Sequence, residues 1–257
     1  KYALLFISQC IKVHKAKYSY SMTINSTRLK KQIILLPINS MGTPDYVFME
    51  EYMRAKEQEK IVAYEKYIEN RLAKLQNVKG IAPFSEKEWG EFKIGKLFTL
   101  YQGKSKGLNH LEKNINGISY LGATNNNNGV LTFVKKIDKL VQKGNCIAFI
   151  RNGEGSMGFS IYKEEDFIAT SDISVGYNEY LNKYNGLFIT TIADKIRGKY
   201  NFGYKRNETR LSKETIQLPV NSSGTPDYEY MEQFMRKKEQ ESLLRYLEYI
   251  ENQTFVI

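Results

Sequence analysis

Apolar residues recur every three or four positions along two long segments of the chain, which is the spacing of one face of an α-helix. After Gly42 these positions are Tyr46, Met49, Met53, Ile61, Tyr64, Ile68, Leu72 and Leu75. After Gly224 they are Tyr228, Met231, Met235, Leu243, Tyr246 and Ile250. Because no Gly or further Pro occurs before Gly80, the first helix is predicted to run for about 34 residues, or roughly 50 Å. Two such stripes predict that the helices pair antiparallel as a coiled-coil spacer.

Both helices are preceded by the same three residues, Thr-Pro-Asp, at 43–45 and at 225–227. Thr is a favoured N-cap, and Pro fits the first turn because its missing N–H has no partner there. Asp is favoured beside the positive end of the helix dipole. The pattern therefore predicts Thr43 and Thr225 as the N-caps.

The helices are part of a longer repeat. Residues 1–70 align with residues 183–252 without a gap, and 35 of the 70 aligned pairs are identical. Residues 80–182 occur once. A period of this length indicates a duplicated domain with its connector rather than a solenoid of small stacked units. We interpret the chain as a C-terminal fragment, or a cut-down version, of a longer two-domain protein.

Four segments are expected from the repeat. They are residues 1–40, the tail of a first domain; 41–79, a central long helix; 80–220, a complete second domain; and 221–257, a distal long helix.

The second domain is predicted to be mixed α/β over residues 84–220. WGEFKIGKLFTLYQGK (89–104) alternates like two strands with a glycine turn, and ISYLGATNNNNGVLTFV (118–134) like two strands around an Asn-rich loop. GNCIAFIRN (144–152) is typical of a buried strand, and LNKYNGLFITTIADKIRG (181–198) has helical spacing. With the long helices on either side, the expected fold class is α+β.

The positive charge is concentrated outside the long helices. The formal net charge is +10, yet residues 41–79 hold seven basic and seven acidic residues, and residues 221–257 hold four and seven. Residues 1–40 hold seven basic residues and no acidic ones, and residues 80–220 hold twenty and fourteen. This division favours nucleic acid as the partner of the domains and protein as the partner of the helices. The alternative is that the lysines only keep the protein in solution.

No pattern for catalysis or for a bound metal stands out. Cys10, Cys146, His14 and His110 are scattered singly, which does not predict a metal site, and so few cysteines fit a reducing compartment. GEGSMG at 153–158 has the form G-x-G-x-x-G, but a strand-like run follows it instead of the helix that a dinucleotide site needs. We therefore predict a glycine-rich turn, and we expect no catalytic residue, metal ligand or cofactor-binding residue in this chain.

One stretch combines basic and aromatic residues. KIRGKYNFGYKRNETRLSK, from Lys195 to Lys213, has seven basic residues and one acid, with Tyr200, Phe202 and Tyr204 alternating among them. This composition suits phosphate contacts together with contacts to bases or sugars. The alternative is an ordinary strand with its aromatic residues packed inward.

These features together resemble the DNA-specificity subunits of type I restriction-modification systems, in the style of the type IIB (BcgI-like) specificity subunits. The matching residues are Leu36–Glu50, Leu218–Glu232, Tyr120–Thr124 with the following Asn run, and Lys199–Lys213. The resemblance implies that the domains are target-recognition domains, each reading one half of a split DNA site. It also implies that the helices hold these domains apart and dock methyltransferase subunits. The chain departs from the pattern because only the tail of a first recognition domain is present.

The resemblance implies a non-catalytic, cytoplasmic subunit whose partners are double-stranded DNA and methyltransferase subunits, with S-adenosylmethionine held by the methyltransferase. No membrane partner is expected. A restriction subunit, and self-association of a cut-down subunit through the long helices, stay open as further partners. The rival hypotheses are a nucleic-acid-binding adaptor unrelated to restriction, which does not explain the duplicated helix, and an enzyme in its own right, which lacks the motifs.

The DNA contacts are expected in the basic and Asn-rich loops. The candidate residues are Lys104, Lys106, Asn125, Asn126, Asn127, Asn128, Arg151, Asn152, Lys199, Tyr204, Lys205, Arg206 and Arg210. Arg151 and the Asn run lie in the unrepeated part, so we assign them to base reading. Arg210 matches Arg28 across the repeat, so we assign it to phosphate contact or to structure. In the alternative interpretation, the Asn run is a solvated turn and the lysines lie on an outer face.

Overall fold

The computed structural model describes residues 1–19, 22–75 and 80–254. Residues 253 and 254 are described only by their backbone. The chain forms two compact units. One comprises Lys1–Lys74 with the end of the chain from Ile250, and the other comprises Leu75–Tyr249.

The first unit is helical. It contains α1 (Tyr2–Lys12), a 3-10 turn at Val13–Lys17, α2 (Ser26–Lys30) and α3 (Tyr46–Lys74). The Phe6 ring of α1 lies edge to face against two rings of α3. Its centroid is 6.5 Å from that of Phe48 and 5.6 Å from that of Tyr52. This aromatic contact holds α1 against the first turns of α3.

The second unit is a sheet domain that ends in a long helix. Its strands are β1 (Trp89–Lys93), β2 (Thr99–Gln102), β3 (Lys113–Leu121), β4 (Val130–Val134), β5 (Val141–Gln142), β6 (Cys146–Ile150), β7 (Ser160–Lys163), β8 (Phe167–Ala169), β9 (Ile173–Tyr177) and β10 (Thr215–Pro219). Its helices are α4 (Ile94–Leu97), α5 (Lys183–Asp194), α6 (Glu208–Lys213) and α7 (Tyr228–Thr254), which continues past the end of this unit.

The strands form three small sheets, in the orders β1-β10, β2-β9-β6-β7 and β4-β3-β8-β5. β6 contributes side chains to two hydrophobic clusters, because successive side chains of a strand point to opposite faces of the sheet. Ile147 and Phe149 join the cluster that includes Phe188 of α5, whereas Ala148 and Ile150 join the cluster on the other face. The position of β6 explains why all five of its residues are buried.

Most of the predicted elements are confirmed. β3 and β4 form an antiparallel pair around the Asn-rich loop, β6 is the buried strand, and α5 occupies the helical segment. β1 and β2 lie on either side of the short α4. The segment 153–158 is a turn followed by β7, as expected. Lys195–Lys213, in contrast, is not a strand: it contains a 3-10 turn, a tight turn and α6.

The predicted N-caps Thr43 and Thr225 are wrong by two residues. α3 begins at Tyr46, and the Asp45 carboxylate accepts the backbone N–H of Phe48 at 2.9 Å. The Thr43 hydroxyl instead donates to the side-chain oxygen of Asn39 at 3.0 Å, because Gly42 (φ +74°) folds the loop back. Asp227 and Asn221 make the same bonds in the second copy. The threonines therefore close the preceding loop, and the aspartates cap the helices.

α3 ends at Lys74, with Leu75 in a turn, and residues 76–79 of the predicted first helix lie outside the described residues. The predicted antiparallel pairing of the long helices and the four segment boundaries stay predictions.

The two copies of the repeat share their short helices. α1 corresponds to α5 and α2 to α6, at an offset of 182 residues. Asn25 caps α2 by accepting the backbone N–H of Arg28 at 2.9 Å, and Asn207 caps α6 by accepting that of Arg210 at 2.9 Å. The repeated sequence therefore specifies the same short motifs twice.

Candidate nucleic-acid interface

The Asn-rich loop between β3 and β4 is held to the glycine-rich turn 153–158. The backbone N–H of Asn125 donates to the Ser156 hydroxyl at 3.3 Å, and this hydroxyl donates to the Asn125 side-chain oxygen at 3.2 Å. Gly153 has a φ of +121°, and a Cβ there would lie 2.6 Å from the Ala123 carbonyl oxygen. Only glycine fits this approach, so the two loops form one surface.

The four asparagines of this loop are exposed. Asn127 and Asn128 have φ values of 49° and 53°, in the left-handed region that Asn tolerates better than most residues. The loop therefore presents several side-chain amides to solvent on a defined backbone. Their assignment to base reading stays a prediction.

The glycine-rich turn also contacts the segment 197–205. A Cβ at Gly158 would lie 2.8 Å from the Cβ of Arg197, and the Arg197 guanidinium lies 4.2 Å from the Phe159 ring centroid. Between the two segments lies a groove of about 730 Å³. Its walls are formed by Asn152, Gly153, Glu154, Gly155, Met157, Phe159, Arg197, Gly198, Tyr200, Asn201, Phe202 and Lys205.

Arg206 does not belong to this surface, and its assignment to DNA contact is corrected. Its side chain is fully buried, and its guanidinium forms an ion pair with the buried carboxylate of Glu214. Nε donates to Glu214 Oε2 at 3.0 Å, and Nη1 donates to the Gly158 carbonyl oxygen at 2.9 Å. A charge is stable in the interior only when it is paired and hydrogen-bonded. Arg206 therefore holds the glycine-rich turn in place from the interior of the domain.

Tyr200 completes this buried arrangement. Its hydroxyl donates to Glu214 Oε2 at 2.5 Å. Burial and the neighbouring carboxylate raise the pKa of Tyr200 above its usual range, so the phenol stays protonated at neutral pH. In the first copy the hydroxyl of Tyr18, the equivalent residue, donates to Gln32, the equivalent of Glu214.

The surface residues near Arg206 divide into structural and exposed groups. The Arg210 guanidinium lies 3.8 Å from the Tyr204 ring centroid, and its Nη1 donates to the Lys205 carbonyl oxygen at 2.7 Å. Arg28 makes the equivalent bond, to the Thr23 carbonyl oxygen at 2.6 Å. This shared bond supports the structural interpretation of Arg210.

Lys205 lines this groove, and Lys199 and Tyr204 are exposed in the same segment. The Lys205 ammonium lies 5.4 Å from the Phe202 ring centroid.

Arg151 and Asn152 are half-buried and bonded to the segment 171–172. The Arg151 guanidinium donates to the Ser171 carbonyl oxygen, and its Nε is buried without a hydrogen-bond partner among the described residues. The Asn152 amide donates to the Asp172 carboxylate at 3.2 Å. Base reading by Arg151 therefore requires its guanidinium to exchange a protein partner for DNA, and it stays a prediction.

Lys104 and Lys106 are exposed on either side of the buried Ser105. The backbone N–H of Ser171 donates to the Ser105 carbonyl oxygen at 3.1 Å, next to the carbonyl group that binds Arg151. Contacts through residues 169–172 thus connect the segment of the two lysines with Arg151. Arg151 precedes the glycine-rich turn, which in turn contacts the Asn loop and lines the groove. Apart from Arg206, the structure brings the predicted residues onto one connected set of loops.

Among the groove residues that were not candidate DNA contacts are the cation Arg197 and the exposed ring of Phe202. Both lie in the basic and aromatic stretch Lys195–Lys213, and the composition of that stretch is the sequence feature that could have identified them. The alternation of Tyr200, Phe202 and Tyr204 did not show which ring would be exposed, because the segment is a turn and not a strand.

Among residues 1–19, 22–75 and 80–254, no three or more His, Cys, Asp and Glu side chains are grouped as metal ligands. No helix within these ranges is long and apolar enough to cross a membrane. Burial raises the pKa of the Cys146 thiol to about 12, so it is protonated at neutral pH.

Similarity to known proteins supports the fold. Residues 86–246 match a family model described as the type I restriction modification DNA specificity domain. Over 240 residues the chain is 32% identical to the specificity subunit S.BcgI of a type II restriction enzyme from Heyndrickxia coagulans, with 92% of this chain and 66% of that protein aligned. The chain thus spans just under two thirds of that relative's length.

The fold is similar to the crystal structure of a type I restriction-modification system S subunit from M. genitalium, with a TM-score of 0.52 and 14% identity. The match covers 98% of this chain and 69% of that one. The expected α+β class, a sheet domain with a long helix before and after it in the chain, is confirmed.

Proposed function

The chain belongs to the family of type I restriction modification DNA specificity domains, and from this premise we propose that it recognises DNA sequence within a restriction-modification methyltransferase complex. In this proposal the sheet domain reads one half of a bipartite site. The long helices bind methyltransferase subunits.

The observation that carries the proposal is the connected set of loops on the sheet domain. It combines exposed amides at Asn125–Asn128 with exposed ammonium groups at Lys104, Lys106, Lys199 and Lys205. Amides hydrogen-bond to base edges, whereas lysines bind phosphates and position the protein on the duplex. This combination is what a sequence-reading surface needs.

The loops also have a rigid base, which recognition requires because mobile side chains discriminate poorly between bases. The buried Arg206 side chain donates hydrogen bonds to the carbonyl oxygens of Gly158 and Phe159, at 2.9 and 3.2 Å. Ser156 of the same turn forms hydrogen bonds with Asn125 of the Asn loop. The glycine-rich turn therefore acts as the central support of the surface.

The long helices present a repeated aromatic pair. In α3, Tyr64 and Tyr67 stack with ring centroids 5.6 Å apart. At the equivalent positions of α7, the rings of Tyr246 and Tyr249 lie 6.2 Å apart. Tyr67 and Tyr249 are 52% and 58% exposed. Aromatic residues are enriched in protein interfaces, so the two pairs support docking of the same kind of methyltransferase subunit at each helix.

Methyl transfer is assigned to the partner. In the proposal this chain contributes no catalytic group, S-adenosylmethionine is bound by the methyltransferase subunit, and the complex acts in the cytoplasm. The lysines and amides described above bind and orient DNA.

The proposal is tested by selecting sequences from a pool of random DNA duplexes with the purified full chain. Enrichment of one defined sequence supports sequence recognition. Binding without enrichment, or tighter binding to RNA of the same length, contradicts it and favours a general nucleic-acid adaptor. Competition at several salt concentrations separates the sequence-independent phosphate contribution from discrimination between bases.

A further inference from the structure

A tight turn at Asn201–Tyr204 carries Phe202 at its tip. Asn201 and Tyr204 exchange backbone hydrogen bonds of 3.3 and 3.0 Å. The Asn201 side-chain oxygen also accepts the backbone N–H groups of Gly203 and Tyr204, at 2.9 and 3.0 Å. Phe202 itself is 87% exposed. An apolar ring is thus held in solvent by a turn with several internal hydrogen bonds.

The base of this turn is also fixed. The Tyr204 ring stacks on the Tyr200 ring with an interplanar angle of 14°, and the Arg210 guanidinium lies 3.8 Å from the Tyr204 ring centroid. Tyr200 is held in turn by Glu214. Since stacked rings and a buried carboxylate restrain the turn, the exposure of Phe202 results from its support and not from a loose segment.

The surroundings of Phe202 match a polyanion. The Lys205 ammonium lies 5.4 Å from its ring centroid, and Arg197 and Lys205 line the groove that Phe202 borders. Lys199 is exposed in the same segment. An exposed ring next to several cations suits a ligand with both phosphates and stacked apolar faces, and duplex DNA has both.

The repeat indicates what kind of contact the ring makes. Tyr20 occupies the sequence position of Phe202 in the first copy, so both copies have an aromatic residue there. The unrepeated loops provide sequence reading, whereas a feature present in both copies suits a contact that does not depend on sequence.

We propose that Phe202 is an apolar wedge that inserts between adjacent base pairs of the bound duplex. This inference rests on the proposed DNA-recognition function and adds a positioning residue to it. The ring replaces part of the base stacking that it disrupts, and the neighbouring cations bind the flanking phosphates. Wedges of this kind kink DNA by about 20–90°.

The test uses the duplex that the full chain enriches from a random pool, with 2-aminopurine placed at one position at a time. Binding of the wild-type chain is expected to raise the fluorescence at one step, where the neighbouring base is unstacked. Phe202→Ala is expected to abolish this rise and to weaken binding on the order of tenfold. Phe202→Leu, which keeps an apolar wedge, is expected to retain most of the rise.

Ile115→Ala serves as the matched control, because Ile115 is an 81% exposed apolar side chain on β3 of the same unit. It is expected to leave both the fluorescence and the affinity unchanged. If the wild-type chain enriches a sequence but no 2-aminopurine position responds, or if Phe202→Ala responds like the wild type, the wedge is overturned while DNA recognition stands. If the wild-type chain enriches no sequence, both the proposed function and the wedge fail.

Discussion

Arg206 and Glu214 form an ion pair in the interior of the sheet domain, with Arg206 Nε 3.0 Å from Glu214 Oε2 and both side chains nearly inaccessible to solvent. The same guanidinium binds the carbonyl oxygens of the glycine-rich turn. One buried pair thus links the stability of the domain to the position of this turn.

Removing one partner of this pair is expected to destabilise the protein strongly. Arg206→Ala leaves the Glu214 carboxylate buried without its cation, and the free energy of unfolding is expected to fall by about 3–5 kcal/mol. Urea denaturation followed by circular dichroism measures it. Arg210→Ala, which removes an arginine with a partly exposed side chain, is the control and is expected to cost less. Equal losses in the two variants would contradict the assigned role of Arg206.

The pattern of the sequence predicted those elements that depend on local periodicity. β6 and α5 follow from runs of apolar residues with the spacing of a strand and of a helix. The hairpin of β3 and β4 follows from the Asn-Gly turn at Asn128 and Gly129. In each case the residues that form the sequence pattern are the same residues that form the element.

The sequence failed where contacts between distant segments decide the role of a residue. Arg206 stands among exposed basic residues, and only the position of Glu214 beside Gly158 in the fold shows that it is internal. Thr43 has the residue type of an N-cap, but Asn39 binds its hydroxyl group, and Asp45 takes the cap. Phe202 is distinguished from Tyr200 only by the turn that exposes it.

Lys205 is expected to contribute to DNA binding through phosphate. Because its ammonium is exposed beside the groove, Lys205→Ala should weaken binding to all duplexes alike and reduce the slope of log affinity against log salt by about one unit. Fluorescence anisotropy at several salt concentrations measures the slope. Lys135→Ala is the control, since Lys135 is exposed but paired with Glu112 at 3.4 Å. A slope unchanged by Lys205→Ala would remove this residue from the interface.

Arg151 is expected to contribute to discrimination between bases. Arg151→Ala should cost about 1–3 kcal/mol of binding free energy on the enriched half-site and little on unrelated duplexes. Arg151→Lys keeps the charge but loses the planar fork that binds two acceptors, so its discrimination should also fall. Thermal melting of both variants shows whether the loss of the bond to Ser171 unfolds the domain. Unchanged discrimination in a folded Arg151→Ala variant would contradict base reading.

The repeated tyrosines are expected to set the number of methyltransferase subunits bound. Native mass spectrometry of the wild-type chain with its methyltransferase should show two subunits per chain. Tyr67→Ala or Tyr249→Ala should leave one, and the double variant should bind none, because exposed aromatic residues contribute strongly to protein interfaces. Val47→Ala is the control: Val47 is 68% exposed on α3, but its counterpart in the second copy is Glu229. Unchanged stoichiometry in the double variant would exclude these tyrosines from docking.

Reading of DNA sequence by the loops of the sheet domain has its sharpest test at Asn127 and Asn128. Asn127→Gly and Asn128→Gly delete the amides but tolerate the left-handed backbone that both residues adopt, so the fold should be retained. Sequence selection from random duplexes is repeated with each variant and with Asn116→Ala, which alters an exposed asparagine on β3. One or both glycine variants are expected to lose information at specific positions of the enriched sequence, while the salt dependence of binding stays that of the wild type. An enriched sequence identical to that of the wild type in both glycine variants would contradict sequence reading by these loops.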